Sequence, residues 1–364
     1  MNNTDLDIII NYFNHKNSFN QYSFLVTCAI VKTNYRNLSL VTRNLCVYNN
    51  IIGNMTGYFN PLMSCLGLFI NILIVYRFII NSRITRQKVY LSALAISDVS
   101  TNIIWTWMHL FPAFGLPFIS NGQYYFILSS QSRIFCKFVY TTIFFWQDMS
   151  FLILLFCSID RCLSILMPLD CRTWSYKSAI SIVILSVVWN FINCIPHLLT
   201  FELYYDIQSK QMKCFPYALG TMSDMYSFYH ILFSPFGLVY IMIDIGVNGI
   251  LVKSIWKHSK LIKFDKNNNT ITTGKLRKSE IKSCIQICSL SSLHFLFVIS
   301  MKMSYYSSQF FPNIFLDKIG FMFELLYVAS LNFNIALVFI RRLFSKASFR
   351  ASSYSSRYPN FRKN

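Results

Sequence analysis

Ionisable and amide side chains stand inside long apolar runs at a few positions: Asn71, Asp98, Asp148, Asp244, Lys302, Glu324 and Asn332. Two more, Asp160 and Arg161, close the run that begins at Cys136. Such groups are costly in apolar surroundings unless each is hydrogen-bonded or ion-paired. The chemistry they offer is ion pairing, hydrogen bonding and ion binding rather than bond-making. The sequence has no His-Glu-x-x-His pair, no Gly-rich phosphate loop and no nucleophile elbow, so no enzyme is expected. His109, His197, His230 and His294 fall on different apolar runs and read as packing or interface residues. Cys284 and Cys288 are one helical turn apart but lack further ligands, so packing explains them better than a metal does.

The elements that position these residues are membrane spans. The 364 residues are 54% hydrophobic and only 13% charged, against about 25% charged in a soluble domain. The net charge of +19 argues for nucleic acid only if the basic residues cluster on one surface. They lie instead in the loops between apolar runs, and no nucleic-acid partner is expected. The run from Cys136 to Arg161 covers about 25 helical steps, or about 37 Å. That exceeds the hydrocarbon core of a bilayer, about 30 Å. Cys136 and the Asp160-Arg161 pair therefore face opposite aqueous sides.

Seven spans are expected, at about 59–80, 89–110, 136–162, 178–199, 226–252, 283–306 and 317–340. The sixth is the least apolar, with Gln286, His294, Lys302 and several serines. Residues 111–135 read as an outer loop, from the turn signals Pro112, Pro117 and Asn121-Gly122. Residues 200–225 form a second outer loop around Cys214, and 253–282 a basic inner loop. Most Lys and Arg lie on one side if the N-terminus is outside, which sets the orientation. Residues 1–56 then form an extracellular tail with glycosylation triplets at Asn2, Asn37 and Asn54. No secretory signal is evident, so the first span acts as anchor. The membrane domain covers 57–350 and ends in a short basic amphipathic helix on the inner lipid surface. Residues 351–364 form a basic, serine-rich cytoplasmic tail. Cys28, Cys46, Cys136 and Cys214 lie outside, where oxidation is favoured, and allow several pairings.

The ordered set of motifs resembles the rhodopsin-like G-protein-coupled receptors. It comprises Asn71 in span one, Leu94-x-x-x-Asp98 in span two, Cys136 and Asp160-Arg161-Cys162 in span three, Trp189 in span four, Pro235 in span five and Leu331-Asn332-Phe333-Asn334 in span seven. The resemblance implies an all-α seven-helix membrane bundle at the plasma membrane. It implies a Cys136–Cys214 disulfide, leaving Cys28–Cys46 as a second pairing. Asp160 and Arg161 would be the G-protein coupling switch. Asn71, Asp98, Ser150 and Asn332 would form a polar pocket for sodium or water, against the plainer reading of interhelical hydrogen bonds. No other cofactor is expected. Arg161 also has a plain reading, a snorkelling residue at a helix end.

Departures are equally specific. Ala336 and Phe333 replace the expected tyrosine and proline of span seven, Val328 and Ala329 replace pocket residues, and Cys162 replaces the motif tyrosine. Span six lacks its Cys-Trp-x-Pro. Asn332-Phe333 resembles invertebrate peptide receptors of the FMRFamide-receptor-like group. Ile143 stands where amine receptors carry an aspartate, so a biogenic amine would lack its counter-ion. A neuropeptide is the expected ligand and a heterotrimeric G protein the expected partner, with arrestin at the serine-rich tail. Asp148, Lys302 and Glu324 are candidate ligand contacts. Asp148 reads better as a structural acid bonded to Asn193 or His230, and Lys302 also fits snorkelling. Asp244 has no functional reading. A chemosensory receptor is the alternative within the class, and a small-molecule transporter the alternative outside it.

Overall fold

The computed structural model describes residues 40–80, 84–120, 124, 126–167, 174–206, 211–216 and 238–264, with 285, 287, 289, 291, 292, 296, 322, 323 and 325–327. The first helix, α1, runs through Leu40–Asn54, a wider π-helical turn Met55–Phe59, and Asn60–Ile80 without a break in path. It starts well before the expected 59. Tyr48, Ile52 and Met55 recur at helical spacing and pack into the core, so the polar-looking segment carries one apolar face.

The second helix, α2, comprises Arg86–Thr101, a π-helical stretch Asn102–Gly115 and Leu116–Ile119. Thr85 caps it by accepting from the Lys88 N–H at 3.4 Å. Pro112 lies inside the helix rather than in the loop expected at 111–135. A proline cannot donate to the helical ladder, and a widened path is one way a helix accommodates the loss. The third helix, α3, spans Arg133–Leu166, capped by Ser132 accepting from the Phe135 N–H at 3.2 Å. The fourth, α4, spans Tyr176–Thr200, capped by Ser175. Pro196 sits in its last turn, where the Thr200 hydroxyl bonds the Pro196 carbonyl at 2.8 Å.

The outer loop after α4 is an antiparallel hairpin of β1 (Phe201–Asp206) and β2 (Gln211–Pro216), with Leu203 opposite Cys214. The sequence reading gave it no regular structure, because its pairing is a contact between segments rather than a periodicity of either. The fifth helix, α5, spans Leu238–Phe264 and reaches into the segment read as inner loop. The basic run is helical at its start: Lys and Arg are good helix formers, so hydropathy ends before the helix does. Spans six and seven, the amphipathic helix and the tail fall largely outside the described residues.

Among the described residues, four helices are long and apolar enough to cross a membrane: Val47–Phe78, Arg133–Leu166, Tyr176–Thr200 and Val239–Trp256. Of their apolar windows α3 buries 61%, α1 33%, and α4 and α5 28% each, so α3 is the axis of the bundle. It packs against α2, α4 and α5, and α1 packs on the far side of α2. One core joins Trp105, Leu110, Val139, Ile143, Phe151, Ile241, Leu325 and Tyr327; another joins Ile74, Tyr90, Leu94, Met149, Ile153, Cys157 and Ile287. The outward faces carry large apolar side chains such as Phe69 on α1 and Leu185, Phe191 and Leu199 on α4. In water such a surface would aggregate; against lipid it costs nothing.

Close approach of α1 and α2 depends on glycines. A Cβ on Gly115 would meet the Thr56 carbonyl oxygen at 2.5 Å, and one on Gly53 would collide with the Phe118 ring. Gly53 and Gly57 are four apart on α1 and form the small-residue face that admits the tip of α2.

Candidate functional site

Three polar layers lie along α3. At the outer end Cys136 is disulfide-bonded to Cys214 of β2, with Cα atoms 5.5 Å apart across 78 residues of sequence. The bridge and the hairpin together hold the loop over the bundle. Glu202 of β1 adds a charged tie: its Oε1 accepts from Arg133 Nη2 at 2.6 Å and pairs with Lys137 Nζ at 3.1 Å. The Arg133 hydrogen bond, reinforced by Lys137, holds the Glu202 carboxyl below its usual range. Beneath this rim Tyr140 stacks on Phe201 at 4.7 Å, and Phe144 stacks on His197 at 4.2 Å. His109 of α2 meets the edge of Tyr140. His109 and His197 thus belong to an aromatic cluster shared by α2, α3, α4 and β1. Ile143, which stands where an amine would need a counter-ion, is fully buried.

In the middle layer the Ser150 hydroxyl lies 2.9 Å from Asp98 Oδ1 and 2.8 Å from Ser97 Oγ. Ser97 in turn donates to the Trp146 carbonyl at 2.8 Å. Asp98 and Ser150 are therefore brought together, as the sequence reading expected. Ser97, which it missed, completes the link because α2 presents two adjacent residues to one α3 hydroxyl. Asp98 Oδ2 and both polar atoms of Asn71 are buried with no protein partner among the described residues. Asn332 lies outside them. Asp148 is buried on α3 and Asn193 on α4. His230, Lys302 and Glu324 lie outside the described residues. Trp189, read as a landmark, donates its indole N–H to the Tyr240 hydroxyl at 3.0 Å and so ties α4 to α5.

At the inner end Asp160 is held from two sides. Arg161 contributes Nη2 at 2.5 Å and Nε at 3.2 Å to Oδ2, while Arg86 of α2 donates Nη1 to Oδ1 at 2.9 Å. Arg86 also reaches Ser164 Oγ at 3.4 Å and lies over the Trp174 ring at 5.7 Å. By sequence alone Arg86 reads only as a loop cation. A signal was present: Arg86 lies twelve residues before Asp98, and Asp160 ten after Ser150. Once Asp98 meets Ser150, antiparallel helices bring Arg86 level with Asp160. Cys162 packs on Leu251 of α5, so a small residue here lets α5 approach α3 closely. Each acceptor of Asp160 is charge-assisted and partly desolvated, which makes this cluster a strong local restraint.

Asn54 is exposed on α1, whereas Thr56 of its triplet is buried and bonds the Ile52 carbonyl at 2.9 Å. Asn2 and Asn37 lie outside the described residues.

No family model and no curated protein sequence matches the chain. Among solved structures it is similar to squid rhodopsin, with 15% sequence identity and a TM-score of 0.60 over 79% of this chain and 76% of that one. At this identity the likeness shows the fold: a helical membrane bundle of the rhodopsin type.

Proposed function

We propose that this chain is a G-protein-coupled receptor of the plasma membrane, with its N-terminus outside, that binds an extracellular peptide and activates a heterotrimeric G protein. The observation that carries the reading is α3 itself. One helix bears the disulfide that pins the outer hairpin and, a bilayer's thickness away, the Arg86–Asp160–Arg161 cluster. Ligand binding at one end and coupling at the other are then joined by a two-state bundle. A ligand shifts the population only by as much as it favours the open-inside state. A buried Ile143 leaves an amine without a counter-ion, and a peptide can use the charged rim of Arg133, Lys137 and Glu202. Glycans on Asn2, Asn37 and Asn54 and arrestin at the tail belong to the same reading. Transport would call for helices broken at the midplane; α3 and α4 run through it whole.

Arg161 then turns from Asp160 towards the G protein on activation. Arg161→Ala should abolish agonist-driven nucleotide exchange in membranes matched for receptor level, with peptide binding retained. A screen of amidated neuropeptides on cells expressing the chain supplies the agonist. A full response from Arg161→Ala would refute the coupling role.

Asp98, Ser150 and Asn71, with Asn332, form the polar pocket in this reading, and its support is the Asp98 Oδ2 and the Asn71 amide, buried without a partner among the described residues. Sodium should lower agonist affinity in the wild type and leave Asp98→Asn unaffected. Equal affinity with and without sodium in the wild type would leave a hydrogen-bond network and no ion site.

A further inference from the structure

A second polar cluster stands outside these three layers, between α5 and the sixth span. Asp244 is 2% exposed, about 13 Å along the α5 axis from Lys253. Its neighbours Met242, Ile243 and Ile245 face outward to lipid. Asn248, one turn on, donates Nδ2 to Asp244 Oδ1 at 2.9 Å and to Ser291 Oγ at 2.8 Å. Ser291 belongs to the sixth span and is itself buried. Its hydroxyl lies 2.9 Å and 3.0 Å from the two oxygens of Asp244 and donates between them. The three side chains close a ring of hydrogen bonds across the interface of two helices.

We propose that Asp244, Asn248 and Ser291 form the latch that holds helices five and six together in the resting state, so that its strength sets basal signalling. The inference rests on the receptor reading, in which the inner ends of these helices part on activation. A carboxylate at this depth cannot be left without donors. α5 supplies one from its own next turn, and the sixth span supplies the other. Parting the helices removes the Ser291 donor and obliges water to replace it. Closure is therefore favoured by the bond itself, and opening carries its loss. The latch also fits a chain whose sixth span lacks the usual proline motif: the restraint sits in a polar contact instead of a bend. Asp244, Asn248 and Ser291 act here as positioning residues, and none is placed at the ligand or G-protein contact.

The test uses the full-length receptor in lipid nanodiscs with purified G protein. Spin labels at Lys253→Cys and Ile285→Cys, both exposed positions, report the separation of the two helices in a background where exposed Cys65, together with Cys28, Cys46, Cys171, Cys284 and Cys288, is replaced by serine. Ser291→Ala should raise agonist-free nucleotide exchange about tenfold, equivalent to about 1.4 kcal/mol, and should broaden the label distances outward. Ser291→Thr, which keeps the hydroxyl, should behave as wild type. Asp244→Ala, which keeps the Asn248–Ser291 bond, should raise exchange less than Ser291→Ala does, and the double variant should match Ser291→Ala, because the loss of Ser291 already removes both bonds that cross the interface. Wild-type distances and wild-type exchange in Ser291→Ala would overturn the latch and leave the receptor reading standing. A wild type that activates no G protein would overturn the receptor reading. The distances then still decide the latch, since unchanged distances in Ser291→Ala overturn it.

Discussion

Asp160 accepts from Arg86 and Arg161 on different helices, so its carboxylate does two jobs. Towards Arg161 it is a restraint within one helix; towards Arg86 it is a tie between α2 and α3. The two are separable by mutation. Arg86→Ala should lower thermal stability, by about 1–3 kcal/mol for a lost charge-assisted bond, while Arg161 keeps the other oxygen. Arg86→Lys should recover only part of this, because one ammonium cannot reach Asp160 and Ser164 as a planar fork does. Thermal melts of the purified protein check both, and a melting temperature unchanged in Arg86→Ala would show that the tie contributes nothing. Hydropathy cannot rank such a residue: Arg86 has the composition of a loop cation and acquires its role from a partner 74 residues away.

At the scale of elements, the contact of α1 with the outer end of α2 rests on backbone approach. Thr56, Gly57 and Gly115 leave no room for another methyl group. Gly115→Ala should therefore force the helix tips apart, costing about 1–3 kcal/mol as overpacking does. Gly246, which has nothing near its Cβ direction, is the control: Gly246→Ala should be neutral or slightly stabilising. Surface expression and melting temperature of the two variants are the measurements; equal behaviour would remove the close-packing argument. The Gly53-x-x-x-Gly57 spacing was readable in the sequence. What hid it was its place in a segment rich in Asn, where the helical face formed by Tyr48, Ile52 and Met55 is diluted by polar neighbours.

For the whole molecule, the disulfide matters because it closes a loop of 78 residues that contains most of α3 and all of α4 and β1. Such a constraint acts chiefly on the unfolded chain and typically contributes about 2–5 kcal/mol. Cys136→Ser should reduce the surface-expressed protein several-fold and lower its melting temperature. Cys214→Ser should match it, and the double variant should be no worse than either. Unequal single variants would mean that one cysteine has a role apart from the bridge.

The sequence by itself determined the class of the molecule and the places where polarity matters. Apolar runs must become helices in a membrane, because no other spanning segment satisfies its own backbone there. That fixed α1, α3, α4 and α5 to within their ends, and it made Asp98, Asp160 and Asp244 conspicuous, while Ser150 came only from the resemblance. It did not fix helix ends, because an apolar face diluted by asparagines extends α1 at its start, and helix propensity outlasts hydropathy at the end of α5. It did not reveal the hairpin either. Only the tertiary structure decided partners. Ser150 meets Ser97 and Asp98, Arg86 meets Asp160, and Ser291 meets Asp244 through the antiparallel register of packed helices. Periodicity along one segment carries no information about that register. A buried charge announces in the sequence that it needs a partner; the packing of the bundle chooses which one it receives.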